Sequence, residues 1–210
     1  MKRILVILTA LIGLGFSANA QAIIDKGTCG DNLTWILTGT DNNLTLTISG
    51  TGTMTNYVYY GNRSPWTSHG RNIATVVTNN GVATIGEYAF LFCENLTSVS
   101  IPNSVTSIGG SAFMYCRSLT SINIPNSVTS IGGSAFSGCS SLTSINIAEY
   151  NRYYSSDNGV LFNKNKTVLI FYPQGKSGDY TIPTSVTEIG KYAFYSCSSL
   201  KSVNIPNSVT

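Results

Sequence analysis

Ile101-Pro102-Asn103-Ser104-Val105-Thr106-Ser107-Ile108-Gly109-Gly110 recurs without a change as Ile124-Pro125-Asn126-Ser127-Val128-Thr129-Ser130-Ile131-Gly132-Gly133, 23 residues later. Identity at a fixed spacing marks a chain that stacks one structural unit on the next. The same phase runs backward through Val82, Ile85, Phe90, Cys93, Leu96 and Val99. It runs forward through Val186, Ile189, Phe194, Cys197, Leu200 and Val203. The interval from Ile124 to Ile182 is 58 residues, one period plus 35, so a hairpin insertion is expected over 148–181. The sequence closes at Thr210, six residues into a further unit. That leaves room for a structural spacer reading, in which the array positions another domain beyond residue 210.

In Leu119-Thr120-Ser121-Ile122-Asn123-Ile124 the apolar residues alternate inward and Ser121 and Asn123 face solvent, as a half-buried strand requires. This is the strand segment of a leucine-rich repeat. Val105, Ile108, Ala112, Cys116 and Leu119 follow at three- and four-residue steps, but Pro102 and Gly109-Gly110 forbid a long helix. Two short extended pieces and one helical turn per coil are therefore expected. The fold class is an α/β repeat solenoid, predominantly β, with a 23-residue period. One unit buries too few apolar side chains to offset the entropy of ordering its backbone, so units stabilise one another through shared interfaces.

Upstream, residues 33–38 and 44–49 alternate around Gly39-Thr40-Asp41-Asn42-Asn43, which predicts a β-hairpin cap over the open end of the stack within a 21–77 segment. Pro65-Trp66 and the strand from Ile73 to Val77 lead into the array, 78–210. In the insertion, Val160-Leu161-Phe162 and Thr167 to Tyr172 flank Asn163-Lys164-Asn165-Lys166, a second hairpin signal. At the N-terminus, Lys2 and Arg3 precede an apolar run from Ile4 to Phe16, then Ser17-Ala18-Asn19-Ala20. This reads as a signal peptide over 1–20, too short in its apolar part for a membrane span. No later run is long enough, so the mature chain is expected to be exported with no membrane-spanning segment.

The unit I-P-N-S-V-T-S-I-G-x-x-A-F-x-x-C-x-S-L-T-S-I-x resembles the BspA-like leucine-rich repeats of bacterial surface proteins, over about residues 78–210. Gly27 to Trp35 and Leu44 to Gly52 are similar to the cap that precedes such arrays, and Tyr153 through Pro173 to an insertion seen between their repeats. The resemblance implies a secreted or cell-surface bacterial binding protein, with adhesion described for some members. It transfers the fold further than the ligand.

Charged residues make up only 10% of the chain, so its polar surface consists of Ser, Thr and Asn. Without Lys2 and Arg3 the basic residues number ten against nine acids, which argues against nucleic acid as a partner. Cys93, Cys116, Cys139 and Cys197 share one repeat position, where a thiol serves as a small buried hydrophobe. Parallel side chains on stacked rungs disfavour disulfide geometry between them. Cys29 makes the number odd. His69, in Thr67-Ser68-His69-Gly70-Arg71, is the only histidine; a Cys29/His69 nucleophile pair can be drawn, but no motif surrounds either. Acids are scattered singly, Gly109-Gly110 and Gly132-Gly133 serve turns, and Lys164, Lys166 and Lys176 make a weak patch. No enzyme activity, cofactor or metal ion is expected.

The exposed strand positions Ser98, Ser100, Ser121, Asn123, Ser144, Asn146, Ser202 and Asn204 form ladders of neutral hydrogen-bonding groups. They are the candidate binding face for an extracellular protein or glycan. The same ladders would also serve simply to keep an exposed parallel sheet soluble.

Overall fold

The structure, a computed structural model, describes residues 22–210. The signal peptide expected over 1–20 lies outside the described residues.

The chain enters as three antiparallel strands, Ile23–Gly30, Leu33–Thr40 and Asn43–Gly50. The second and third are the expected hairpin; Leu33, Trp35, Leu37, Leu44, Leu46 and Ile48 are all buried on one face. Its tip turns at Asp41, whose φ of 45° lies in the left-handed region that Asp tolerates. The first strand was not expected. It is an edge strand whose only buried residue is Cys29, so pairing rather than apolar alternation holds it.

The hairpin covers the open end of the stack by pairing with it. Asn43–Gly50 runs parallel to Ile73–Thr78, with Leu44 opposite Ile73 and Leu46 opposite Val76, and Ile73–Thr78 pairs in turn with Ser98–Ser100. A second, narrower sheet starts in the cap as well: Gly52–Thr53, Val82–Ile85, Ser107–Ile108 and Ser130–Ile131 lie parallel in that order. Each coil thus has a strand on two sides, and the chain is a predominantly β solenoid.

The third side of each coil is built from turns, and the helical turn expected there does not form. Tyr88 and Phe92, Ser111 and Tyr115, and Tyr192 and Ser196 all have φ between 52° and 62°. A left-handed residue every fourth position cannot belong to an α-helix. The three- and four-residue apolar steps instead drop Ala, Phe and Cys inward from successive turns, where Phe90, Phe113 and Phe136 stack with centroids 5.1 and 5.9 Å apart. Trp66, fully buried, heads this column 5.8 Å from Phe90, and its indole Nε1 donates to the Ala89 carbonyl at 2.8 Å. The only helical segment among the described residues is a short 3-10 helix, Thr67–Asn72, in the cap.

Polar repeat residues tie one coil to the next. The hydroxyls of Ser104, Ser127 and Ser208 donate to the carbonyls of Val82, Val105 and Val186 at 2.8, 2.6 and 2.7 Å. Those of Thr97, Thr106, Thr129 and Thr143 donate to carbonyls 23 residues upstream. The serine bonds are part-buried and satisfy main-chain acceptors that stacking shields from water, whereas the threonine bonds lie at the surface and add to the N–H bond each threonine makes to the same carbonyl.

The insertion is not an outward excursion. Tyr154–Asp157, Val160–Asn163 and Val168–Phe171 form an antiparallel sheet, and the last of these pairs parallel with Glu188–Ile189. Val160, Leu161 and Phe162 are all buried: Leu161 packs into the upstream core, Val160 and Phe162 into a separate downstream core with Tyr172, Ile182 and Val186. The strand is a partition across the solenoid interior. Its entry is fastened by Asn151, fully buried, whose amide donates to the Pro125 and Val128 carbonyls at 3.0 and 2.9 Å and accepts from the Tyr153 and Tyr154 N–H groups, both at 2.9 Å. Asn151 thereby bonds the valine carbonyl that a repeat serine bonds elsewhere.

Candidate functional site

The candidate strand face comprises eight Ser and Asn residues. Seven are exposed and Ser144 is half-buried. Ser98 and Ser100 continue rows that begin in the cap at Thr75 and Val77. Ser121 lies opposite Ser144, and Asn123 opposite Asn146. There the side chains form an ordered relay: the Ser144 hydroxyl donates to Asn146 Oδ1 at 2.6 Å, and Asn146 Nδ2 donates to Asn123 Oδ1 at 2.9 Å. Parallel in-register pairing brings identical side chains together and makes this relay possible.

Ser202 and Asn204 belong to a different patch. They pair with Asp179 and Thr181 in a two-stranded sheet, Gly178–Thr181 with Leu200–Asn204. The hairpin separates the patches, because the Ile145 N–H donates to the Gly159 carbonyl and the Ser156 hydroxyl to the Ile145 carbonyl. The downstream patch also carries a charge: the Ser202 hydroxyl donates to Asp179 Oδ1 at 2.7 Å.

All five cysteines are free thiols; Cys29, Cys93, Cys116 and Cys139 are buried and Cys197 is half-buried. The repeat thiols do more than fill space, since Cys116 and Cys139 Sγ donate to the Phe90 and Phe113 carbonyls at 3.3 and 3.1 Å. Burial pushes Cys93 up to about 12 and Cys29 up to about 11, which withholds the thiolate that nucleophilic chemistry needs. His69 points its Nε2 at the Asp25 carboxylate, 3.4 Å away. Among the described residues no group of three or more His, Cys, Asp or Glu is placed to hold a metal ion. The three lysines of the insertion are tied locally: Lys166 to Asp157 at 3.1 Å, Lys176 to the Asn158 carbonyl at 2.7 Å and Lys164 to the Glu149 carbonyl at 3.5 Å. No described helix is long and apolar enough to cross a membrane.

Sequence reasoning passed over an aromatic cluster. Tyr192 and Tyr195 are 62% and 57% exposed, and their rings meet edge to face at 6.0 Å. They stand where the repeat at 124–146 has Ser134 and Ser137, and two large rings replacing small residues at exposed positions was the available signal.

The BspA type leucine-rich repeat region is matched in six copies, over residues 68–167 and 168–210. Among solved structures, a leucine-rich repeat protein from Eubacterium ventriosum is 31% identical with a TM-score of 0.51, over 89% of this chain and 61% of that one. The chain thus spans less than two thirds of that protein's length. A leucine-rich cell surface protein from Faecalibacterium prausnitzii (19% identity, TM-score 0.53, 86% of this chain and 76% of that one) shares the fold. So does the pneumococcal vaccine antigen PcpA (18% identity, TM-score 0.52, 89% and 71%). No curated protein matches the chain. With its coils, its inward Val-Ile-Ala-Phe-Cys-Leu columns and a repeat match over well more than half its length, the chain belongs to the BspA-type leucine-rich repeat family.

Proposed function

We propose that the chain is a secreted or cell-surface binding module that mediates adhesion or protein interaction through its exposed strand face, without catalysis. The observation that carries this reading is the Ser144–Asn146–Asn123 relay. Side chains already ordered by mutual hydrogen bonds lose less entropy when a partner docks. The face is neutral from Thr75 to Asn146, so it suits polar protein or glycan surfaces and needs no electrostatic steering. The export signal read at 1–20 agrees with an extracellular partner. The drowned thiols and the engaged His69 support a binding role over an enzymatic one.

Replacing Ser98, Ser100, Ser121, Asn123, Ser144, Asn146, Ser202 and Asn204 together by Ala tests the reading. The unaltered protein and the variant would be assayed on immobilised extracellular-matrix proteins and on a glycan array, with circular dichroism as the check on folding. Binding that disappears in a folded variant supports the face; binding that persists rejects it.

A further inference from the structure

The turns of the array are joined by a series of main-chain hydrogen bonds. Tyr88, Phe90 and Phe92 N–H donate to the Gly110, Ala112 and Met114 carbonyls at 3.1, 2.8 and 3.0 Å. Ser111, Phe113 and Tyr115 donate to Gly133, Ala135 and Ser137 at 3.0, 2.8 and 2.8 Å. The next members of the series, Ser134, Phe136 and Gly138, meet no such carbonyl among the described residues.

The insertion is the reason. Its coil places only Ile170 and Phe171 between Leu169 and Tyr172, where the preceding repeat has four residues between Ile131 and Phe136. What bonding it does make points downstream: the Tyr172 N–H donates to the Ala193 carbonyl at 2.8 Å. Gln174, buried, donates its side-chain Nε2 to the Tyr195 carbonyl at 2.8 Å, in place of a main-chain N–H. The turn side of the solenoid therefore lacks a layer. A cleft of about 540 Å³ occupies the gap, between Ser134 and Phe136 on one wall and Tyr192 and Tyr195 on the other, with Leu161 and Phe171 at its base. Paired glycines confirm which layer is missing. A Cβ on Gly110 would lie 3.5 Å from the Gly133 carbonyl oxygen, whereas one on Gly133 would meet nothing within 4 Å.

We propose that this cleft binds a short peptide segment that supplies the missing layer: a Gly- and Ser-rich stretch carrying one aromatic side chain. Its carbonyls at alternate residues would accept from the Ser134, Phe136 and Gly138 N–H groups, as the following turn does in every filled layer. Its ring would lie over Phe171 beside the tyrosines. A sugar can stack on the rings, but it offers no carbonyl series for three donors at alternate residues. The site is separate from the strand face, so binding there stands or falls independently of the function proposed above.

The probe is acetyl-Gly-Ser-Ala-Phe-Ser-Gly-amide, the sequence of residues 133–138, titrated into the isotope-labelled protein and followed by amide NMR. Saturable downfield shifts at Ser134, Phe136 and Gly138 are expected. Gly133→Trp, whose side chain would fill the cleft, and Tyr195→Ala should each weaken the peptide at least about tenfold, with circular dichroism unchanged. Absence of shifts at the three amides under millimolar peptide overturns the proposal, as does unchanged affinity in Tyr195→Ala or in folded Gly133→Trp. Chitohexaose shifting the Tyr192 and Tyr195 resonances while the peptide moves nothing would assign the cleft to glycan and overturn it too.

Discussion

The thiol of Cys116 donates to the carbonyl oxygen of Phe90, 26 residues upstream and 3.3 Å away, an oxygen that also accepts the N–H of Cys93. One carbonyl thus uses both lone pairs, one within its coil and one across the interface, and Cys139 repeats the arrangement on Phe113. An alanine at position 139 would strand that second lone pair and leave a small void. Cys139→Ala should lower unfolding free energy by about 1–2 kcal/mol, read by urea denaturation. Cys139→Ser, which keeps a donor, should recover part of it.

The same burial makes stability fall at alkaline pH. An unfolded thiol titrates near about 8.5, whereas Cys93 is held up at about 12. Between those values the unfolded chain has released a proton that the native chain keeps, so the native state binds more protons and stability decreases as pH rises. The contribution is intact below about pH 8.5. Cys93→Ala should flatten the fall in urea midpoint measured between about pH 8 and about pH 10. In the native protein Cys93, Cys116 and Cys139 should resist alkylation, then react after unfolding without reductant.

Phe136 stands with its ring 5.9 Å from Phe113 and 6.1 Å from Phe171, at the point where the aromatic column passes into the insertion. Phe136→Ala should cost about 3–5 kcal/mol in equilibrium denaturation, because the ring is buried between Phe113 and Phe171 and its removal leaves a void beside them. A loss below about 1 kcal/mol would mean that the ring contributes little to the core.

Adjacent glycines should respond differently. A Cβ on Gly132 would overlap the backbone of Gly110 in the previous coil, so Gly132→Ala should destabilise by about 1–3 kcal/mol. Gly133→Ala faces the cleft and should be near neutral. Thermal denaturation of the two variants side by side checks the contrast.

How much of this was legible depends on which relation each residue serves. The inward columns were readable because a 23-residue period and a two-residue alternation both follow from local chain geometry. Strand Ile23–Gly30 was not, since an edge strand with one buried residue carries no alternation. The apolar steps from Val105 to Leu119 suggested a helical turn, and only the left-handed residues at Ser111 and Tyr115 decide otherwise. Of the candidate face, exposure was readable from alternation, but its division into two patches was not. Three consecutive apolar residues, Val160-Leu161-Phe162, were the sign that both sides of that strand are buried. Gln174 left no sequence signal at all, because its role is defined by a main-chain donor that is absent.

Asn151 supports the sharpest test of how the insertion is held. Four hydrogen bonds converge on one fully buried amide: two carbonyls of the preceding coil and two N–H groups of the strand that leaves it. Asn151→Leu removes both its donors and its acceptor: the buried Val128 carbonyl and the part-buried Tyr153 and Tyr154 N–H groups lose this partner, each loss costing about 1–3 kcal/mol, while the Pro125 carbonyl keeps the Val128 N–H. The loss should be at least about 3 kcal/mol, large for one substitution. Asn151→Asp separates the two sides of the site. Its carboxylate can still accept from Tyr153 and Tyr154 but places negative charge against the Pro125 and Val128 carbonyls, so the variant should be more stable in acid, where a protonated oxygen can donate to one of them. Urea midpoints of the Asp variant should therefore rise, relative to the unaltered protein, as pH drops from about 7 to about 4. A pH-independent difference between the two proteins would show that the carbonyls of the preceding coil are not what Asn151 holds.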